Sequence, residues 1–208
     1  MSVATVKILV ACEESQAVCK AFRKLGAEAY SADIQNCSGS HPEWHIKGDV
    51  LPLLNGGLFR TQDGKVHRVE KWDLIIAHPP CTYLTRCGAT HLYQHGELNQ
   101  ERYRKGLEGR EFFMSFFNCN CPHIAIENPT PLRIFELPKE SQVVQPFQYG
   151  NPYTKRTLLW LRGLPELKPT NIVDPIGSWV AMHKTPKQRS KTFSGIAEAM
   201  ASQWLPLI

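Results

Sequence analysis

Residues 6–33, VKILVACEESQAVCKAFRKLGAEAYSAD, constrain the fold of this chain more than any other stretch. Val6–Ala11 is a short β-branched run. In the following Glu13–Leu25, the residues Ala17, Val18, Ala21, Phe22 and Leu25 recur at helical spacing. Gly26 stands where a helix end takes a left-handed residue, and Glu28–Asp33 is a second short strand ending in a carboxylate. Strand, helix and strand in so short a space form a βαβ unit, which opens a parallel sheet.

The same alternation continues. Trp72–Ala77, His123–Ile126 and Thr157–Leu161 read as strands. Asn99–Phe117 reads as a helix with Leu107, Phe112, Phe113, Phe116 and Phe117 on its apolar face, and Ile196–Trp204 as a closing amphipathic helix. Asp63-Gly64 between alternating residues predicts a hairpin. The expected class is α/β, an open Rossmann-like, mostly parallel sheet with helices on both faces. A length of 208 residues suits one domain. No apolar run is long enough to cross a membrane, and the opening residues lack the pattern of a secretion signal, so the expectation is a cytoplasmic protein with no membrane partner. Seven cysteines at irregular spacing then read as thiols rather than a disulfide framework. The net charge of +5 is compatible with a polyanionic partner but does not single one out.

In open α/β sheets, ligands bind beyond the carboxyl ends of the strands. Polar, reactive side chains stand at each such position. Ala11 leads into Cys12-Glu13-Glu14-Ser15, and the second strand ends at Asp33-Ile34. The strand from Trp72 runs into His78-Pro79-Pro80-Cys81, and His123–Ile126 into Glu127-Asn128-Pro129. Asp33 lies about 20 residues beyond Glu13, the offset of an acidic residue that binds ribose hydroxyls. The first turn lacks the glycines a pyrophosphate needs, which disfavours a dinucleotide. Two prolines forbid the strand from continuing and hold Cys81 rigidly at its end, as a covalent nucleophile must be held. A thiolate with a carboxyl group able to protonate a ring nitrogen suits attack on a pyrimidine.

"HPPC" followed by "IENP" resembles the DNA cytosine methyltransferases that modify carbon 5, most closely their small members found in bacteriophages. "HIKGDV" is similar to the family's adenine-contacting segment, "FQYGNPYTKRTLLWL" to its Gln-x-Arg-x-Arg segment, and "SKTFSGIAEAMASQW" to its closing helix. The resemblance implies a class I methyltransferase-like fold and methyl transfer from S-adenosylmethionine to carbon 5 of cytosine, flipped out of duplex DNA, through a covalent cysteine adduct. It implies Cys81 as nucleophile and Glu127 as the group on the ring nitrogen, with Pro80, Asn128 and Arg156 completing the catalytic set. The cofactor would meet Ala11, Glu13, Ser15, Asp33, Ile34, Asp49, Val50, His78, Pro79 and Thr192. The chain departs from the pattern in its glycine-poor first loop, in Arg156 standing out of register, and in leaving no room for a large target recognition domain. Residues 1–208 thus read as a single catalytic domain, with a homodimer or a separate specificity partner open.

Two other readings stay in view. An enzyme of the same fold could act on RNA or a free nucleotide, or add another group. A nucleic-acid-binding accessory protein could keep the fold without turnover. The "NCNCPH" segment (Cys119, Cys121, His123) lacks the spacing of a standard zinc finger, so no metal is expected. The basic segment His183–Lys191 suits a loop gripping phosphates or an exposed solvated one.

Overall fold

The computed structural model describes residues 5–85, 91–183 and 185–208. Cys87 and, in the basic segment, Lys184 lie outside the described residues. The first unit is β1 (Lys7–Ala11), α1 (Ala17–Lys24) and β2 (Glu28–Asp33), with β3 (His45–Lys47) parallel beside it. A hairpin of β4 (Gly57–Arg60) and β5 (Val66–Val69) turns at Asp63-Gly64 and leads to β6 (Leu74–Ala77). A second hairpin, β7 (Tyr93–Gln94) and β8 (Glu97–Leu98), precedes the long helix α2 (Gln100–Asn118). Then come β9 (His123–Asn128), β10 (Gln142–Val144) and β11 (Thr157–Arg162), and finally α3 (Trp179–Met182), α4 (Pro186–Ser190) and α5 (Ser194–Trp204).

Seven strands form one sheet in the order β10-β11-β9-β6-β1-β2-β3, and only β11 runs antiparallel to its neighbours. This is the expected open, mostly parallel α/β sheet. Its central strands are apolar throughout because both faces are covered. Leu9, Ala11, Ile75, Ala77, Ile124 and Ile126 face Phe113 and Phe116 of α2, together with Trp160. The alternate residues Ile8, Val10, Leu74, Ile76 and Ala125 face α1 (Val18, Phe22) and α5 (Ile196, Met200, Trp204). Period-two alternation thus assigns every residue at a strand end to one layer or the other.

The differences from the expected boundaries have local causes. Helix α1 begins at Ala17 rather than Glu13, because Cys12 and Gln16 both take left-handed backbone (φ 59° each). The Glu13 carboxylate instead reaches forward to accept the amides of Val18 (2.6 Å) and Cys19 (3.2 Å), capping the helix from outside. Leu25 falls beyond the helix and is half exposed, and Leu107 is also exposed, so neither belongs to the core. Strand β9 runs two residues past Ile126. Glu127 and Asn128 pair with Leu159 and Leu158, so this segment is the end of a ladder before it becomes a turn. The pattern predicts no strand over Gln142–Val144; β10 exists there by pairing with β11.

Helix α2 is seated close to the segment after β9. A Cβ added at Gly106 would lie 2.1 Å from Cζ of the buried Phe135 ring. Gly106→Ala is therefore expected to destabilise the protein by about 1–3 kcal/mol through overpacking, although helix propensity alone would favour it by about 1 kcal/mol. Urea denaturation of the two proteins checks the sign.

Candidate active site

The parallel pairing of β6 with β9 aligns Ala77 with Ile126, so His78 and Glu127 follow as neighbours on the α1/α5 side of the sheet. His78 Nδ1 lies 3.0 Å from Glu127 Oε2, and both side chains are nearly buried, at 13% and 11% exposure. Thr192, just before α5, donates from Oγ1 to the same oxygen at 3.4 Å. Burial alone would raise the Glu127 pKa. The hydrogen bond and charge of His78, helped by Lys155 and Thr192, outweigh it and bring the carboxyl down to about 2. For His78, burial opposes the charged form, but Glu127 and then Glu13 favour it more strongly, and its pKa is raised. Each member of the pair thus favours the charged form of the other.

The turn carrying Cys81 starts one residue beyond the buried Pro79; Pro80 itself is exposed. It is fastened at both ends. Asn128 Nδ2 donates to the Pro79 carbonyl at 3.1 Å, and the Leu132 amide donates to the Leu84 carbonyl at 2.7 Å. The Cys81 carbonyl itself accepts the amides of Leu84 and Thr85 and the Thr85 hydroxyl (3.0 Å). Half-buried Cys81 thus stands on a braced turn at the mouth of β6, beside the mouth of β9 that presents Glu127. Asn128 acts here as a brace for the Pro-Pro-Cys turn. Arg156 lies outside this cluster, with its Nε 3.3 Å from Thr130 Oγ1 and an exposed side chain. The neighbouring Lys155 is the cation that acts on both Glu127 and His78.

A second group gathers at the mouths of β1 and β2. The Cys12 thiol is pushed up to about 12, first by burial and then by the charges of Asp33 and Asp49. Asp33 Oδ1 accepts the Gln35 amide (2.8 Å), and Asp49 Oδ1 accepts the Leu51 amide (3.0 Å). Ile34, between them in the sequence, is 76% exposed beside these carboxylates, whereas Val50 and Ala11 are buried. Glu13 does not join the group, since both its oxygens cap α1. Ser15 is packed under the loop after β2: a Cβ at Gly39 would lie 2.6 Å from the Ser15 carbonyl. Buried Gln16 locks that contact by accepting the His41 amide (3.1 Å) and donating to its carbonyl (2.8 Å).

The sequence reading missed Cys12 and Gln16 as shapers of the first loop and Lys155 as a charge at the Glu127 site. Left-handed backbone at two non-glycine residues has no signature in the pattern; a lysine on the approach to β11 was visible but carried no indication of its neighbour. Arg162 donates to the carbonyls of Cys119 and Cys121, and Cys121 Sγ donates to those of Trp72 (3.4 Å) and His123 (3.2 Å). Among the described residues no three His, Cys, Asp or Glu side chains gather as a metal site. No helix among them is long and apolar enough to cross a membrane.

No family model matches the chain, and no curated protein matches it. Among solved structures it is similar to the Entamoeba histolytica methyltransferase EhMeth, at 12% identity and a TM-score of 0.42. The match covers 82% of this chain and 58% of that one, so the chain spans little more than half the length of its neighbour. A likeness of that size does not carry a function.

The ion pair has a pH signature. Glu127, depressed from 4.5 to about 2, contributes stability above pH 4.5 that is lost as pH falls toward 2. His78, raised from 6.5, contributes stability below pH 6.5 that is lost as pH rises through its higher folded value. The stability difference between wild type and Glu127→Ala is expected to be greatest between those limits, at about 3 kcal/mol, and to shrink on both sides. Chemical denaturation at a series of pH values measures it.

Proposed function

We propose that the chain is an S-adenosylmethionine-dependent methyltransferase that modifies carbon 5 of cytosine in DNA through Cys81. The observation that carries this reading is the braced turn that holds Cys81 at the mouth of β6, the strand next to β9, whose mouth carries Glu127. The cofactor reading is supported at the other end of the same edge. Asp33 and Asp49 each have one oxygen on a local amide and a second able to accept from ribose hydroxyls or an adenine amine, and exposed Ile34 offers an apolar face to a base. These residues fit a nucleoside-bearing cofactor without phosphates. Their glycine-poor first loop keeps left-handed backbone at Cys12 and Gln16, conformations that glycine would ordinarily supply.

When bound, S-adenosylmethionine supplies an electrophilic methyl group. Cys81 adds as thiolate to carbon 6 of the pyrimidine, which makes carbon 5 nucleophilic. Addition leaves negative charge on the ring, and N3 takes a proton from solvent as that charge develops; Glu127, held as a carboxylate and so not the proton donor expected of it, accepts from that N3–H or from the 4-amino group. After carbon 5 is substituted, loss of its proton lets the thiolate leave. The cytosine must be extruded from the duplex, because a thiol reaches carbon 6 only from the face of the ring. Lys155, Arg156 and the segment around Arg189 and Lys191 supply cations for the phosphate backbone.

The test is product analysis. DNA incubated with the protein and isotopically labelled S-adenosylmethionine is digested to nucleosides and analysed by mass spectrometry. Labelled 5-methylcytosine, reduced at least 10³-fold by Cys81→Ala, is the expected outcome. Label on another base or atom, or the same yield from the variant, refutes the assignment.

A further inference from the structure

We infer that His78 is the positioning residue of this site: by ion-pairing with Oε2 of Glu127, it fixes the carboxylate and leaves Oε1 for the pyrimidine edge. This inference rests on the proposed pyrimidine chemistry. Both close polar contacts of the Glu127 carboxylate among the described residues, the ion pair with His78 Nδ1 (3.0 Å) and the hydrogen bond from Thr192 Oγ1 (3.4 Å), fall on Oε2. Neither falls on Oε1. The resemblance assigned His78 to the cofactor, but its side chain lies at the β6–β9 mouth, with Glu127 from β9 as its partner.

The arrangement gives Glu127 a single orientation and a single charge state. A carboxylate that could rotate, or that shared its proton with solvent, would present the base with a changing mixture of acceptor and donor. His78 removes that freedom, as a second-layer partner does for a metal-bound or catalytic group. The groups that face His78 are Glu127 on β9, Glu13 from the β1–α1 loop and Lys155 from the approach to β11. Two of the three are acidic, and they favour the imidazolium over the neutral ring. His78 Nε2 is buried without a hydrogen-bond partner, so the ring is held through Nδ1 alone. As pH rises through the raised value of His78, the pair loses its positive member and Glu127 loses its anchor. Methyl transfer should therefore fall on the alkaline side with the titration of His78.

The experiment combines kinetics of His78→Ala and His78→Asn with imidazole ¹⁵N NMR of wild type and Glu127→Gln. An asparagine amide can occupy the place of Nδ1 and donate to Oε2 without a titrating charge. His78→Ala is expected to lower kcat about 10²-fold with little change in KM for S-adenosylmethionine. His78→Asn should recover most of that loss, and its rate should no longer fall with the histidine titration. In the spectra, His78 should titrate above the ordinary histidine range in wild type and at or below it in Glu127→Gln. Three results overturn the inference: a raised cofactor KM with unchanged kcat in His78→Ala, no recovery in His78→Asn, or a titration that ignores Glu127→Gln. If wild type transfers no methyl group to cytosine, the proposed function fails first. The NMR titration then decides the His78–Glu127 pairing by itself: loss of the raised titration in Glu127→Gln upholds it, and an unchanged one refutes it.

Discussion

The site depends on the parallel pairing of β6 with β9 at the centre of the sheet. Four aligned residue pairs, Leu74 with His123 through Ala77 with Ile126, set the register. That register makes the next residues, His78 and Glu127, neighbours on the same face. A slip of one residue would turn Glu127 toward α2 and leave His78 without its partner, because side chains alternate strictly along a strand. The flanking strands hold the register in place: β1 accepts the His78 amide at the Ala11 carbonyl, and β11 pairs with Glu127 and Asn128 from the other side. The geometry of the mouth follows from the core.

A buried ion pair at such a place is a poor source of stability. Removing two charges from water costs several kcal/mol per ion, and mutual attraction offsets that only when the remaining polar atoms are satisfied. Here Thr192 supports Glu127, while Lys155 opposes the charge on His78 and favours that on Glu127. Hydrophobic packing of β6 and β9 could proceed without the pair. Its presence makes better sense as a device that fixes one carboxylate in one state than as part of the frame. The Cys81 turn follows the same logic: its carbonyls are tied to Asn128, Leu132 and Thr85, so the thiol-bearing residue is held by backbone and not by burial.

Much of the fold was legible because the first 33 residues set two short apolar runs around a strong period of 3.6, and because α2 and α5 carry apolar residues at helical spacing. The positions of Cys81, Glu127, Asp33 and Asp49 at strand mouths followed from strand ends alone, since an open parallel sheet gathers those ends along one edge. What was not legible depended on contacts between distant segments. Helix α1 starts late because Glu13 caps it, and a carboxylate's choice between a helix end and a ligand is settled by backbone geometry that the pattern does not encode. His78 looked like a member of the cofactor loop; only the β6–β9 register shows it facing Glu127. Leu107 has the helical spacing of a core residue yet is exposed, because at that turn of α2 the neighbouring Gly106 is the residue seated against Phe135.

The two halves of the mouth have different characters. Around Cys12 lie carboxylates with spare acceptor oxygens and an exposed isoleucine, a surface suited to a nucleoside. Around Glu127 lies a closed set of charges beside a braced cysteine, a surface suited to chemistry on a planar ring. The joint claim of these halves is that Cys81 bonds covalently to a pyrimidine. The direct measurement is intact-mass analysis after incubation with S-adenosylmethionine and a duplex containing 5-fluorocytosine, whose carbon–fluorine bond blocks release. A covalent protein–DNA complex in wild type that disappears in Cys81→Ala is expected. Wild-type protein that binds S-adenosylmethionine by calorimetry yet forms no complex, or a complex that survives Cys81→Ala, would contradict it.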